Sequence, residues 1–221
     1  MIVTFDLFSA LTDSRRGGSA AFDRVAEAHG WNVDGEILYD RWDAHNKGAQ
    51  RDCASWVPYR ELSERALAAT YRDLDLDGDA HADVTALEAS VADWPLWPDV
   101  PGGLEALARS YRLGVLSNVD DSLFAATKAS ALIDSSYVLT SQRLQAYKPN
   151  KAIYERAASH ADGLVHVASS ARDVRGALQA GIPTIRLVRP GHALDPQGPV
   201  PTHEVSRVNE LPEVLAQLRR R

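Results

Sequence analysis

Cysteine is nearly absent from this chain: Cys53 is the only one in 221 residues. An internal disulfide, a CxxC redox pair and a thiolate zinc cluster are therefore excluded, and a reducing cytoplasm is the expected compartment. Long apolar runs are lacking as well. Met1-Ile2-Val3-Thr4-Phe5 leads straight into Asp6 without a basic n-region or an extended h-region, and no later stretch approaches the ~20 apolar residues of a membrane span. Neither export by a recognisable signal nor a place in a membrane is expected. Positive charge is also short: 24 Lys and Arg against 30 Asp and Glu leave a formal charge of -6. Without a basic face, nucleic acid is not an expected partner, because phosphate binding needs clustered cations. Arg219, Arg220 and Arg221 read as a solvated tail. What is present is an ordinary globular balance, 45% hydrophobic and 24% charged, in a chain long enough for one α/β core and a smaller accessory domain.

Ile2 to Leu7 is a short β-branched and aromatic run that ends in a polar turn through Ser9, Thr12 and Ser14 to Gly17-Gly18. From Ser19 to about Trp94 apolar residues recur at helical spacing, as in Phe22, Val25 and Ala26 or Leu62, Ala66, Leu67 and Tyr71, which predicts a block of about four helices. Pro95, Pro98 and Pro101 with Gly102-Gly103 mark a boundary. Beyond it strands are predicted at Leu113 to Leu116, Tyr137 to Thr140, Leu164 to Val167 and Thr184 to Val188. Helices are predicted between them at Ser122 to Ala131, Asn150 to His160 and Val174 to Ala180. Alternation of this kind implies βαβ units and a parallel sheet covered on both faces. Gly191 to Pro201 is a Pro/Gly-rich loop and Glu210 to Leu218 a closing helix. The expectation is a doubly wound, Rossmann-like α/β core formed by residues 1–14 and 97–221, with a helical domain, residues 15–96, inserted after the first strand.

Reactive groups of doubly wound sheets collect at the carboxyl ends of the strands. There the chain carries Asp6, then Ser117-Asn118, then Lys148, then Ser169-Ser170 and Asp173. A carboxylate, a hydroxyl and amide, a lysine and a second carboxylate make a plausible site for covalent catalysis. The ordered segments Asp6-Leu7-Phe8-Ser9-Ala10-Leu11, Leu116-Ser117-Asn118, Tyr147-Lys148-Pro149 and Ala168-Ser169-Ser170-Ala171-Arg172-Asp173 resemble the four motifs of the haloacid dehalogenase superfamily. Gly176 to Thr184 is similar to the tail of the fourth motif, and the helical insertion lies where that superfamily carries its cap.

The resemblance also separates branches. Phosphatases of the superfamily carry a second Asp two residues after the nucleophile, where this chain has Phe8, and a further carboxylate for Mg²⁺ where it has Ser169. The 2-haloacid dehalogenase branch resembles it better, with Asp-x-aromatic, Ser-Asn, Tyr-Lys-Pro followed by Tyr154, and no metal. The resemblance implies that Asp6 displaces a leaving group from the carbon next to a carboxylate, giving an ester that water hydrolyses. Lys148 would keep Asp6 ionised, Asp173 would orient Lys148 or the water, and Tyr154 would support the lysine. Phe8, Ser117, Asn118, Tyr154, Ser170 and Arg172 would contact a small anionic substrate, and Arg41 is the nearest match to the cap arginine that receives halide, although alignment on Trp42 puts Asp43 there. Ala10 stands where most members have Thr, removing a hydrogen bond to the nucleophile, and Arg172 replaces an aromatic side chain. Two alternatives stay open: a Mg²⁺-dependent phosphatase, the only case needing a cofactor, and a binding protein that has lost catalysis. A homodimer is open too. Asp73-Leu74-Asp75-Leu76-Asp77-Gly78 begins like a calcium loop but meets Val84 at the twelfth position, so a solvated acidic loop is expected. His166 reads as a core or edge histidine.

Overall fold

The computed structural model describes residues 1–160 and 163–220. Strand β1, Ile2–Phe5, is buried along its whole length and runs into a π-helical turn at Leu7–Leu11. Four helices follow: α1 (Ser14–His29), α2 (Gly35–Arg51), α3 (Tyr59–Asp73) and α4 (Ala80–Ser90). Then come α5 (Val100–Ala108), β2 (Arg112–Ser117), α6 (Asp121–Ala126), β3 (Val138–Thr140), α7 (Ser141–Leu144) and α8 (Lys151–Ser159). The chain closes with β4 (Leu164–Ala168), α9 (Ala171–Gln179), β5 (Thr184–Leu187), β6 (His203–Val205) and α10 (Leu211–Leu218).

All strand pairs are parallel, in the order β3-β2-β1-β4-β5-β6. The central strands are buried along their whole length because helices cover both faces, and their apolar runs are interrupted only at Thr4 in β1 and His166 in β4. Ile2, Leu116, Leu139 and Leu164 pack with Ile153, Tyr154 and Ala177 of α8 and α9. Val3, Phe5, Val115, Val167 and Ile185 point the other way, into a core that continues through Leu104, Leu107, Leu211 and Leu215 to the helical insertion. The sheet order puts β1 and β4 at the centre, so Asp6 and the loop after Ala168 leave adjacent strands at the same end of the sheet.

Several elements differ from the sequence-based expectation: the first strand stops at Phe5, the helix expected over Ser122 to Ala131 ends at Ala126, and three further differences have identifiable reasons. Helix α1 begins at Ser14, capped by the Asp13 carboxylate, and runs through Gly17-Gly18, which composition alone marks as a turn. A Cβ on those glycines would lie 2.5 Å from Trp94 and 2.3 Å from Tyr39, so they let α1 pack closely against these two rings. Pro101 does not end a helix but sits in the first turn of α5, where its missing N–H costs nothing. The short edge strand β6 lies beyond the Pro/Gly-rich loop, and its three residues are too few to show a period. In the acidic loop Asp75 takes a left-handed φ of 53°, and Asp73 accepts from His45 at 2.8 Å. No described helix is long and apolar enough to cross a membrane.

Candidate active site

Four strand ends and the cap helix α2 enclose a cavity of about 340 Å³. At its floor lies a buried charge cluster. The Lys148 ammonium donates to Asp6 Oδ1 at 2.7 Å, to Asp173 Oδ2 at 2.6 Å and to the Leu116 carbonyl at 2.8 Å. Three acceptors match the three hydrogens of an ammonium. The lysine is aimed from its backbone: Asn118 Oδ1 accepts from Lys148 N at 2.7 Å while Asn118 Nδ2 donates to Lys148 O at 2.9 Å. Asn118 therefore spends its amide on positioning Lys148 and on Gln50, to which it also donates.

Burial by itself would raise the Asp6 pKa. The Lys148 charge, together with hydrogen bonds from Lys148 and Ser9, overcomes that and the repulsion of Asp173, leaving Asp6 below the usual carboxylate range. For Asp173 burial acts in the same unfavourable sense. Lys148 and His166 outweigh it and hold this carboxyl well below its ordinary value. Tyr154 donates to Asp173 Oδ1 at 2.8 Å, and its own phenol is pushed far up by burial and by that carboxylate. Gly176 makes the contact possible, since a Cβ there would lie 2.7 Å from the Tyr154 hydroxyl.

Of the residues expected from sequence, Asp6, Lys148 and Asp173 converge in this cluster, and Phe8, Ser117, Asn118, Ser170 and Arg172 line the cavity. Ser117 donates weakly to Asp6 Oδ1 at 3.5 Å. Two expectations need correction. Arg41 does not reach the cavity: its half-exposed guanidinium lies 3.7 Å from Asp73. Helical spacing is the reason, because the face of α2 over the cavity is Tyr39, Asp40, Trp42, Asp43, Asn46, Lys47 and Gln50, and position 41 points to the opposite side of the helix. Tyr154 is fully buried behind Asp173, so it neither touches a substrate nor bonds the lysine directly. The hydroxyl missing at Ala10 is supplied one residue earlier, where Ser9 donates to Asp6 Oδ2 from within the π-helical turn.

Sequence reasoning also missed Gln50, Asn46 and His192. The 39/42/43/46/50 stripe carried a signal for the first two. Gln50 accepts from both Asn118 and Arg172, tying α2 to the core, and Asp120 accepts from Tyr59 N at the start of α3 at 3.1 Å. His192 is kept below its ordinary pKa, first by burial and then by Lys47. Among the cavity's cations, Arg15 is paired with Glu36 and Asp40, Lys47 with Asp43, and Lys148 with two aspartates. Arg172 bonds the neutral Gln50 amide.

The donor set does not suit magnesium, which demands near-octahedral oxygen coordination. Between Asp6 and Asp173 stands the Lys148 ammonium, and Ser169 turns away to donate to Leu187 O at 2.6 Å. Among the described residues no three His, Cys, Asp or Glu side chains are grouped to hold a metal ion.

A model of the family described as haloacid dehalogenase-like hydrolase matches residues 1–181. The chain belongs to that family. This hydrolase is 31% identical over 167 residues to an (S)-2-haloacid dehalogenase of Pseudomonas sp. (strain YL), covering 72% of each chain. It is 29% identical over 171 residues to (S)-2-haloacid dehalogenase 4A of Burkholderia cepacia, covering 73% of each. Among solved structures, a defluorinating L-2-haloacid dehalogenase is 26% identical with a TM-score of 0.80, over 99% of this chain and 94% of the other. The L-2-haloacid dehalogenase from Xanthobacter autotrophicus shares the fold, at 18% identity and a TM-score of 0.80, over 98% of each chain.

Proposed function

We propose that this hydrolase cleaves the carbon–halogen bond of a small 2-haloacid through an ester on Asp6, without a metal. The observation that carries this reading is the Lys148 ammonium bonded to Asp6 and Asp173 together: a covalently tethered cation occupies the place between the two carboxylates. A carboxylate is a modest nucleophile, so it must be ionised, fixed and poorly hydrated. Asp6 is 8% exposed, ionised by Lys148 and held on both oxygens, and Phe8, Trp42 and Trp94 form an apolar wall beside it.

An Asp6 oxygen attacks C2 of the substrate. The new C–O bond forms as the carbon–halogen bond breaks, and halide leaves with the electron pair. Water then adds to the Asp6 acyl carbon and the acyl C–O bond breaks; one proton of the water passes to the departing oxygen of the 2-hydroxyacid, the other is released to solvent, and Asp6 regains its charge. Arg172, whose bonded partner is neutral, receives the substrate carboxylate, with Ser117 and Ser170 beside it. Phe8 packs on Trp94, with ring centroids 5.4 Å apart, where a phosphatase would need an acid, so no observation favours phosphate-ester hydrolysis.

The test is a single turnover of 2-chloropropionate in ¹⁸O water, with EDTA present, followed by mass analysis of the peptide bearing Asp6. Halide release with label entering Asp6, and neither in Asp6→Asn, is expected. Magnesium-dependent phosphate release from a phosphate ester, or label found only in the product during the first turnover, would overturn the reading.

A further inference from the structure

His166 has no part in the steps above, yet it is a fully buried titratable group in contact with the charge cluster. It lies on β4 between β1 and β5, with Thr4 and Thr184 as its Cα partners, so the three side chains share one face of the sheet. On that face His166 Nε2 is 3.1 Å from Asp173 Oδ2, and Nδ1 is 3.0 Å from Thr4 Oγ1. Asp173 is ionised and a carboxylate only accepts, so Nε2 must carry a hydrogen. The Thr4 hydroxyl can donate to a bare Nδ1. If Nδ1 is protonated it can accept instead, turning its own hydrogen to Val165 O at 3.5 Å. Thr184 is neutral and bonds Ile182 O. The ionisable groups gathered around this imidazole are therefore Asp173, Lys148 behind it, and Tyr154 on the other carboxylate oxygen.

His166 matters because Asp173 Oδ2 is shared. Lys148 and His166 both donate to it, and Lys148 also serves Asp6. If the imidazole N–H is lost, the only remaining donor on that oxygen is the lysine, and the ammonium is drawn towards Asp173 and away from the nucleophile. We propose that His166 is a positioning residue whose Nε2–H fixes Asp173, so that the Lys148 ammonium stays shared with Asp6.

The proposal rests on the Asp6 ester reading, and two independent measurements keep the two apart. The first is steady-state halide release from 2-chloropropionate by wild type, His166→Leu and His166→Gln. Glutamine can still present an N–H to Asp173, and leucine cannot. A hydrogen bond to a charged group implies a loss in kcat of about ten- to a hundredfold in His166→Leu, with KM little changed and most of the rate restored in His166→Gln. Equal rates in wild type and the leucine variant, or the same loss in both variants, would overturn it. If the leucine variant does not fold, His166→Asn, too short to reach Asp173, replaces it. The second measurement is ¹⁵N NMR of the wild-type imidazole, which needs no turnover. A hydrogen on Nε2 whose signal moves in Asp173→Asn is expected, and a neutral Nδ1–H tautomer refutes the proposal. Wild type inert towards every 2-haloacid, with the NMR result as expected, would count against the ester reading alone.

Discussion

Replacing Lys148 by Met keeps most of the side chain's bulk and deletes its charge. The lysine and Asp173 side chains are 3% and 1% exposed and that of Asp6 is 12%, so two carboxylates would be left buried with their shared cation gone. Breaking a buried ion pair on one side costs about 3–5 kcal/mol. Set against a typical total stability of about 5–15 kcal/mol, that weakens the fold severely without necessarily abolishing it. The sign of the pH dependence is the sharper test. In the wild type both aspartates are held below their ordinary pKa, so their contribution is present above an unfolded value of about 3.9 and is lost as pH falls through their lower folded values. In Lys148→Met the two carboxylates must share a proton, which raises their folded pKa above the unfolded one. The folded variant then binds more protons than the unfolded chain, and its stability rises as pH falls. Urea unfolding should show a deficit at pH 7 that shrinks by about 1–2 kcal/mol at pH 5. The double variant Asp6→Asn/Lys148→Met should recover about 1 kcal/mol or more relative to Lys148→Met, since one buried carboxylate has been neutralised. A deficit below about 1 kcal/mol that is the same at both pH values would refute the reasoning.

Arg172→Leu should raise KM for 2-chloropropionate by about ten- to a hundredfold with a smaller change in kcat, as loss of a charge-assisted bond to the substrate carboxylate requires; unchanged KM in steady-state assays would remove Arg172 from substrate binding. Ser9→Ala removes a hydrogen bond that lowers the Asp6 pKa, so the acid limb of kcat/KM should move to higher pH; a limb at the wild-type position would show that Ser9 does not act on the nucleophile. Gly176→Ala forces a Cβ against the Tyr154 hydroxyl and should cost about 1–3 kcal/mol in thermal or urea unfolding. Adding Tyr154→Phe should relieve part of that loss, and strictly additive costs would mean the clash is absorbed elsewhere.

The parallel core was legible because its strands are short, mostly apolar runs that alternate with helical segments, and the helical insertion because 3.6-residue spacing persists over long segments. Asp6, Lys148 and Asp173 were legible because each belongs to a motif at a strand end. The cap side of the site was harder to read. Which face of α2 looks down depends on a rotation about the helix axis, and a shift of one residue, 100°, exchanges Arg41 for Trp42. Ser9 was missed because a π-helical turn, set by local packing, moves the hydroxyl by one position from where a linear motif places it. His166 belongs to no motif, and nothing in the sequence distinguishes an inward side chain serving a charged group from one that simply fills space.

The floor of the cavity draws on residues 6, 116, 148 and 173, which come from separate crossovers of the sheet. No contiguous fragment shorter than about three quarters of the polypeptide contains all four, so any shorter proteolytic piece, or a folding species in which only part of the sheet has formed, lacks a complete charge cluster. Regain of turnover after dilution from denaturant should therefore lag behind regain of helical circular dichroism, reporting the last crossover to close rather than the first helices to form.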